Sequence, residues 1–392
     1  MKKSELKNII KECVKEILFE EGVLSNLVAE VAFGITKAQG SLVETKQPKQ
    51  DPAIMQEARH QEQESRRKKL MDTKKKMLNA IGSSMPELFT TLFGLIMLGE
   101  LDNFAFGMGT TSGSAIFNSM IIPAVVIMAV TLLGITNKVE VSKKVILRDG
   151  LGLIFCEFLL MYVIYKNKID WIDGLILMSS YLLYVIYMFT SMKKAEEISL
   201  ISNKTEVKEE TPILKSIVYF DFVNIFFRKK ANALNAWSLL LFSMGIIGSA
   251  CVLLINACET IAEGMGVAPY FIAVILASAA TSLPDTILSY RDAIKGDYDD
   301  AIANALGSNI FDICFALGLP IFVYTLIKGP IVMPESTLSD VIELQISLII
   351  LTIVSFYIFY FNKGLKIRHS VYLVGLYILF VAFIFINAYN QN

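Results

Sequence analysis

Apolar and polar positions fall into two regimes along the chain. In the first, Leu6, Ile9, Ile10, Cys13, Val14, Ile17 and Leu18 recur at i, i+3, i+4 and i+7, the stripe of an amphipathic helix. The opposite face carries five Lys and five Glu through Glu21, a balance that suits a partner helix better than an anionic membrane surface. Residues 1–40 are therefore expected to form a helical leader that docks a helical partner or associates with itself. Residues 41–76 read as a charged linker, rich in Gln, Lys and Glu and poor in large apolar groups. After Lys76 the pattern changes to a series of apolar runs, each roughly long enough to cross a hydrocarbon core ~30 Å thick. The runs fall at about 80–98, 108–135, 150–165, 171–191, 236–258, 268–290, 300–327, 338–361 and 370–388, nine in all, the first one short.

Charge sharpens this division. Residues 1–76 hold 16 Lys/Arg and 12 Asp/Glu, leaving 20 and 25 for the remaining 316 positions. A polar leader is joined to a membrane-grade body, which excludes a soluble two-domain enzyme. The net charge of −1 argues against a nucleic-acid partner. Five scattered cysteines without a CxxC pair, and only two His, indicate neither a zinc site nor a disulfide framework. Nothing resembles a nucleophile–His–Asp set or a Walker loop, so neither an enzyme nor an ATP-driven pump is expected, and no prosthetic group. With the N-terminus in the cytoplasm, four connections are cytoplasmic and carry 17 basic residues, against Lys166, Lys168 and Lys328 outside. That bias sets the expected orientation, N-terminus inside, in a multi-pass protein of the plasma or cytoplasmic membrane.

Two segments of the body resemble each other. The first reads Gly82-Ser83-Ser84-Met85-Pro86-Glu87, then Gly113-Ser114-Ala115-Ile116-Phe117-Asn118. The second reads Ala280-Thr281-Ser282-Leu283-Pro284-Asp285, then Gly307-Ser308-Asn309-Ile310-Phe311-Asp312. The first halves are offset by 198 residues and the second halves by 194. On the span count above, Glu87 lies on an outward-running helix and Asp285 on an inward-running one. A repeat of opposite orientation is the mark of a secondary transporter with its site at the repeat interface. The chemistry agrees. Each proline removes a backbone donor and frees a carbonyl near Gly82 and Ala280, neighbouring hydroxyls add neutral oxygens, and the acid one residue on supplies charge. Hard cations bind such all-oxygen cages, Ca²⁺ taking roughly 6–8 ligands. A bare carboxylate at mid-membrane costs ~3 kcal/mol or more, so it needs a cation or a proton.

These motifs resemble the two α-repeats of the sodium/calcium exchanger superfamily, and within it the potassium-dependent sodium/calcium exchangers most. GSSMPELF, GSAIFN, TSLPD and GSNIFDI reproduce that pattern, including Asp after the second proline. The resemblance covers roughly 78–134 and 236–327 well. It implies an all-α polytopic membrane protein with the inverted-repeat cation exchanger fold, and exchange of Ca²⁺, with K⁺, for Na⁺. It makes Glu87 and Asp285 the carboxylates that clamp Ca²⁺. Ser83 and Thr281 then offer oxygens to Ca²⁺ or Na⁺, and Ser84, Ser282, Ser114 and Ser308 line flanking Na⁺ sites. Asn118 and Asp312 stand opposite the clamp. Three carboxylates give −3, which Ca²⁺ plus K⁺ neutralise, although a protonated Asp312 with Ca²⁺ alone balances equally well.

The family has ten helices, five per repeat, and no apolar run before residue 77 matches the first of them. The expectation is therefore a truncated first repeat at 77–192, a cytoplasmic loop at 193–235 and a second repeat at 236–392. That leaves two alternatives open: a Ca²⁺/H⁺ antiporter, and an ion-binding membrane protein that does not transport. Asp297, Asp299 and Asp300 lack EF-hand spacing and read as a solvated connector. Glu157 and Glu259 lie inside spans, as paired or interface-facing acids or as proton relays.

Overall fold

The computed structural model describes residues 81–97, 102–166, 168–193, 233–362 and 364–390. The expected leader at 1–40, the linker at 41–76 and nearly all of the 193–235 loop lie outside the described residues. What is described is almost wholly helical. Nine helices follow one another: α1 (Met85–Met97), α2 (Asp102–Leu132), α3 (Lys143–Tyr165), α4 (Trp171–Lys193) and α5 (Ala233–Met265), then α6 (Pro269–Ile294), α7 (Tyr298–Lys328), α8 (Glu335–Phe361) and α9 (Ile367–Asn390). Seven are long and apolar enough to span a bilayer; α1 is shorter, and α3 carries Arg148, Asp149 and Glu157.

Two boundaries depart from the apolar runs. α3 begins at Lys143, seven residues before the expected start at 150, because Ser142 caps it by accepting from the Val145 amide at 3.3 Å. The charges that suggested an interface are neutralised instead: Arg148 binds Asp149 through two bonds of 2.5 and 2.7 Å, and the Tyr184 hydroxyl donates to Asp149 at 2.9 Å. α5 begins at Ala233, inside the segment expected to be loop.

Both proline motifs interrupt their helices. A helical turn at 81–83 breaks at Ser84 and resumes at Met85; α6 breaks at Ser282 and resumes at Leu283. α6 also contains a π turn at Ala273–Ala277, and α7 one at Asp312–Ala316. Such turns shift the helical register and recur at functional sites.

α2 and α7 lie at the centre, with 61% of each apolar window buried, against 17% for α4 and for α5. Peripheral side chains such as Leu182, Leu183, Leu241 and Leu253 face outward, as lipid contact requires. α2 packs against α1, α6, α7, α8 and α9, and α3 packs against α8. The repeats are inverted around this centre. β1 (Lys168–Ile169) pairs antiparallel with β2 (Ile331–Val332), and a lone bridge joins Val139 to Leu365. Leu365 lies 197 residues after Lys168, and Val332 lies 193 after Val139, so the two bridges are each other's mates. The α2–α3 connection meets the α8–α9 connection, as the α7–α8 connection meets the α3–α4 one.

Among the described glycines, Gly113 leaves the least room for a side chain. A Cβ there would stand 2.3 Å from the Val274 carbonyl oxygen and 2.9 Å from the Ser278 side chain. Gly113→Ala should therefore force α2 off the π turn of α6 and cost about 1–3 kcal/mol. Gly245→Ala on α5, with nothing within 4 Å, should be neutral or slightly stabilising through helix propensity. Thermal unfolding of the two purified variants in detergent measures the difference.

Candidate cation-binding site

The interrupted helices set the acids in place. Glu87 falls in the first turn of the helix resuming at Met85, and Asp285 in the first turn of the one resuming at Leu283. Both carboxylates thus lie at helix N-termini, where unpaired amides and the helix dipole favour negative charge. Asp312 opens the π turn of α7. The three are wholly buried, and one carboxylate oxygen of each lies within 4.8 Å of the others. Crowding of this kind costs at least ~3 kcal/mol per ionised pair at an effective dielectric of ~20. The ion pairs among the described residues join Lys138 to Glu140, Arg148 to Asp149, Lys166 to Asp173 and Lys295 to Asp292, and none reaches the three acids.

Hydroxyls and one amide surround them. Ser308 donates to Asp285 at 2.5 Å and lies 2.6 Å from the Ser84 hydroxyl. Ser114, at the centre, stands 3.2 Å from Glu87, 2.8 Å from the Ser282 hydroxyl and 3.5 Å from Asp312. The one Ser114 proton serves Glu87 and Asp312, while either hydroxyl of the Ser114–Ser282 pair can donate to the other. Asn118 Nδ2 donates to Ser114 and to Asp285, each at 3.4 Å. Ser83 lies beside Asp285, and Thr281, whose hydroxyl donates to the Ser278 carbonyl at 3.2 Å, lies beside Glu87. All ten residues singled out in the sequence (Glu87, Asp285, Asp312, Asn118, Ser83, Ser84, Ser114, Thr281, Ser282, Ser308) are buried, and these contacts join them into one cluster.

Donors still run short. Glu87 Oε2, Asp285 Oδ1, Asp312 Oδ1 and Asn118 Oδ1 are buried without a hydrogen-bond partner. Leaving such acceptors unpaired costs ~1–3 kcal/mol each, more when charged. Four open oxygens, three of them on carboxylates, in a buried cluster of acids and hydroxyls have the chemistry of a hard-cation cage.

Some supporting residues escaped the sequence reading. Asn309 Nδ2 donates to the Ala115 carbonyl and the Ser119 hydroxyl, both at 2.9 Å, pinning α7 to α2 beside the acids. Asn304 Nδ2 reaches the Asp285 carbonyl at 3.4 Å and the Ser289 hydroxyl at 3.2 Å. Asn309 lies inside the repeated Gly-Ser-Asn-Ile-Phe-Asp run, and its amide was the available signal. Asn304 had none. Of the three acids read as a solvated connector, Asp297 is exposed ahead of α7, whereas Asp299 and Asp300 are half-buried in the first turn of α7, with Asp299 accepting from the Ser142 amide at 2.6 Å. Glu259 is half-buried on α5.

This geometry agrees with what the chain is similar to. The human sodium/potassium/calcium exchanger 5 is 26% identical over 371 residues, covering 76% of this chain and 72% of that protein. The rat sodium/potassium/calcium exchanger 3 is 36% identical over 110 residues, 28% of this chain, and the match spans 16% of the rat protein's length. The solved structure of native YfkE has a TM-score of 0.51 at 14% identity, covering 79% of this chain and 83% of that one, a likeness of fold alone. The sequence profile described as sodium/calcium exchanger protein matches residues 76–190 and 235–386, both repeats and their site motifs. The chain belongs to the sodium/calcium exchanger family, as a multi-pass membrane protein with that family's inverted-repeat helical fold.

Proposed function

We propose that the chain is a secondary-active antiporter exchanging Ca²⁺, together with K⁺, for Na⁺ by alternating access, its N-terminus in the cytoplasm. One observation carries the reading: three buried carboxylates, with no basic partner among the described residues, come within 4.8 Å of one another between two inverted helix pairs, and they and Asn118 leave four oxygens unbonded. Glu87 and Asp285, each at a helix N-terminus on opposite sides of the site, clamp the divalent ion. Asn118 Oδ1 and the surrounding hydroxyls of Ser83, Ser84, Ser114, Thr281, Ser282 and Ser308 replace its water. Asp312, the third carboxylate, raises the site's charge to −3, which one divalent and one monovalent cation cancel. The named relatives are exchangers of sodium, potassium and calcium, and they favour K⁺ as the monovalent ion. The persistence of a hydroxyl cage favours Na⁺ over protons as the counter-ion, since a proton needs no cage. Emptying the cage exposes like charges to one another. Ca²⁺ leaves only as Na⁺ takes its place, and that obligation is what couples the two fluxes.

Ca²⁺ uptake into proteoliposomes loaded with Na⁺ should require the Na⁺ gradient and rise when K⁺ is supplied with Ca²⁺. Uptake driven equally well by a pH gradient in sodium-free buffer would reassign the counter-ion to H⁺. Binding of Ca²⁺ by folded protein without any flux would make this an ion-binding membrane protein.

Substitutions separate the roles of the acids. Removing one partner from a buried charged set costs about 3–5 kcal/mol, so Glu87→Gln should weaken Ca²⁺ binding at least ~100-fold. Asp312→Asn keeps the side chain's shape and removes one charge. Its Ca²⁺ binding should survive in weakened form while its K⁺ dependence collapses. Calorimetric Ca²⁺ titration of both variants, in K⁺ and in choline, measures the two effects; full K⁺ sensitivity in Asp312→Asn would place the potassium carboxylate elsewhere.

A further inference from the structure

Outside the cation cage the described spans hold one more wholly buried acid with an unbonded oxygen. Glu157 on α3 is 0% exposed. Its Oε1 lies 2.6 Å from the Thr352 hydroxyl on α8, and its Oε2 has no partner. The place of this contact in the fold is informative. Glu157 and Thr352 are 195 residues apart, within the 193–198 spacing that relates the repeat motifs and the two β-bridges. They are repeat mates, and they touch. The same holds at the cage, where Asn309 bonds its own mate, Ala115, 194 residues earlier. Mates of a two-fold repeat meet only on the axis that relates them. For an inverted repeat that axis runs in the plane of the membrane, so a residue on it sits at mid-depth. Glu157 is also as far into α3 from Lys143 as Asp312 is into α7 from Tyr298, 14 residues in each case.

An ionised carboxylate at that depth needs a cation or several donors. Glu157 has one hydroxyl. The titratable groups on the elements packed around α3 are engaged elsewhere. Arg148 and Asp149 bind each other two turns away, and Tyr184 binds Asp149. Asp173 binds Lys166, Asp312 belongs to the cage, and Glu343 on α8 accepts from Asn387 at 3.0 Å. The Cys156 thiol, its neighbour on α3, and the Cys314 thiol on α7 that interacts with Cys156 supply no positive charge.

We propose that Glu157 is a proton-binding site separate from the cation cage, holding one proton at neutral pH on the repeat axis between α3 and α8. The proton keeps a fourth negative charge out of the mid-membrane region, so a permeating cation has no second place to stop. It also leaves a neutral carboxyl–hydroxyl pair closing the α3–α8 seam. Losing it at alkaline pH puts a bare carboxylate in that seam, which draws water or a cation and loosens the helix pair.

Infrared difference spectroscopy of the purified protein tests this without transport, so a wrong functional reading and a wrong proton site remain distinguishable. At neutral pH with Ca²⁺ bound, a protonated-carboxyl C=O band should be present, should move in D₂O and should vanish in Glu157→Gln. Thr352→Val should keep the band but shift its frequency, because the carboxyl loses its one hydrogen bond; this serves also if Glu157→Gln does not fold. Spectra of Glu157→Gln and Thr352→Val identical to wild type in this region would overturn the proposal. In flux measurements, exchange by wild type should fall several-fold at alkaline pH, and Glu157→Gln, a fixed neutral mimic, should lose that fall while keeping the acid-side limb. An unchanged alkaline limb in a folded, active Glu157→Gln would equally overturn it.

Discussion

Three carboxylates held within 4.8 Å of one another, buried and given no basic side chain among the described residues, are the constraint on which the rest of the molecule depends. Left alone they repel and stay unsolvated. The surrounding structure lowers that cost in small steps: a helix N-terminus behind Glu87, another behind Asp285, and hydroxyls turned inward from Ser84, Ser114 and Ser308. It also keeps the acids from separating. Gly113 lets the backbone of α2 meet the π turn of α6, and Asn309 ties α7 back to α2. The scaffold thus stabilises a site that is incomplete without positive charge, which is the condition an ion-coupled machine requires.

Inverted symmetry supplies that site twice over, and the departures from symmetry are where its chemistry lies. Asn118 and Asp312 are mates, one an amide and the other an acid, so a cage built from equal halves carries an odd number of charges. Gly113 and Gly307 are mates as well. A Cβ at Gly113 collides with α6, whereas one at Gly307 would find only the Tyr184 hydroxyl at 3.9 Å. The interruption at the proline is common to both halves, but the π turn at Asp312–Ala316 corresponds to regular α-helix at its mates 118–122.

Most of this architecture is legible along the chain, because bilayer thickness imposes length on each apolar run and the repeated motifs declare the inversion. All ten site residues can be named from two short motifs, since only hydroxyl, amide and carboxylate side chains break an otherwise apolar run there. The helix starts at Lys143 and Ala233 are less visible. Arg148 beside Asp149 looks like a water-facing boundary until the pair is seen neutralised against Tyr184. Thr352 gives no signal at all. At a 195-residue offset α3 and α8 share Leu153 with Leu348, Ile154 with Ile349, Tyr162 with Tyr357 and Tyr165 with Tyr360, residues too common in apolar spans to reveal them as mates, and their relation emerges from where they touch.

The two contacts between mates, Ala115 with Asn309 and Glu157 with Thr352, bear on how such a fold can alternate. Exchange of inward and outward access amounts to trading the conformations of the two halves. A residue on the axis is mapped onto its own mate by that trade and so need not change depth, while elements away from the axis must. The cage lies beside one of these fixed points, so in the proposed exchange the ions would stay near mid-depth while the helices around them expose first one end and then the other. Because Asn309 is not Ala115 and Glu157 is not Thr352, the trade is not between equivalent states. Under the alternating access proposed above, the two facing conformations would differ in energy even with the same ions bound, and each buried asymmetric residue would then have leverage over which face the empty and the loaded protein prefer.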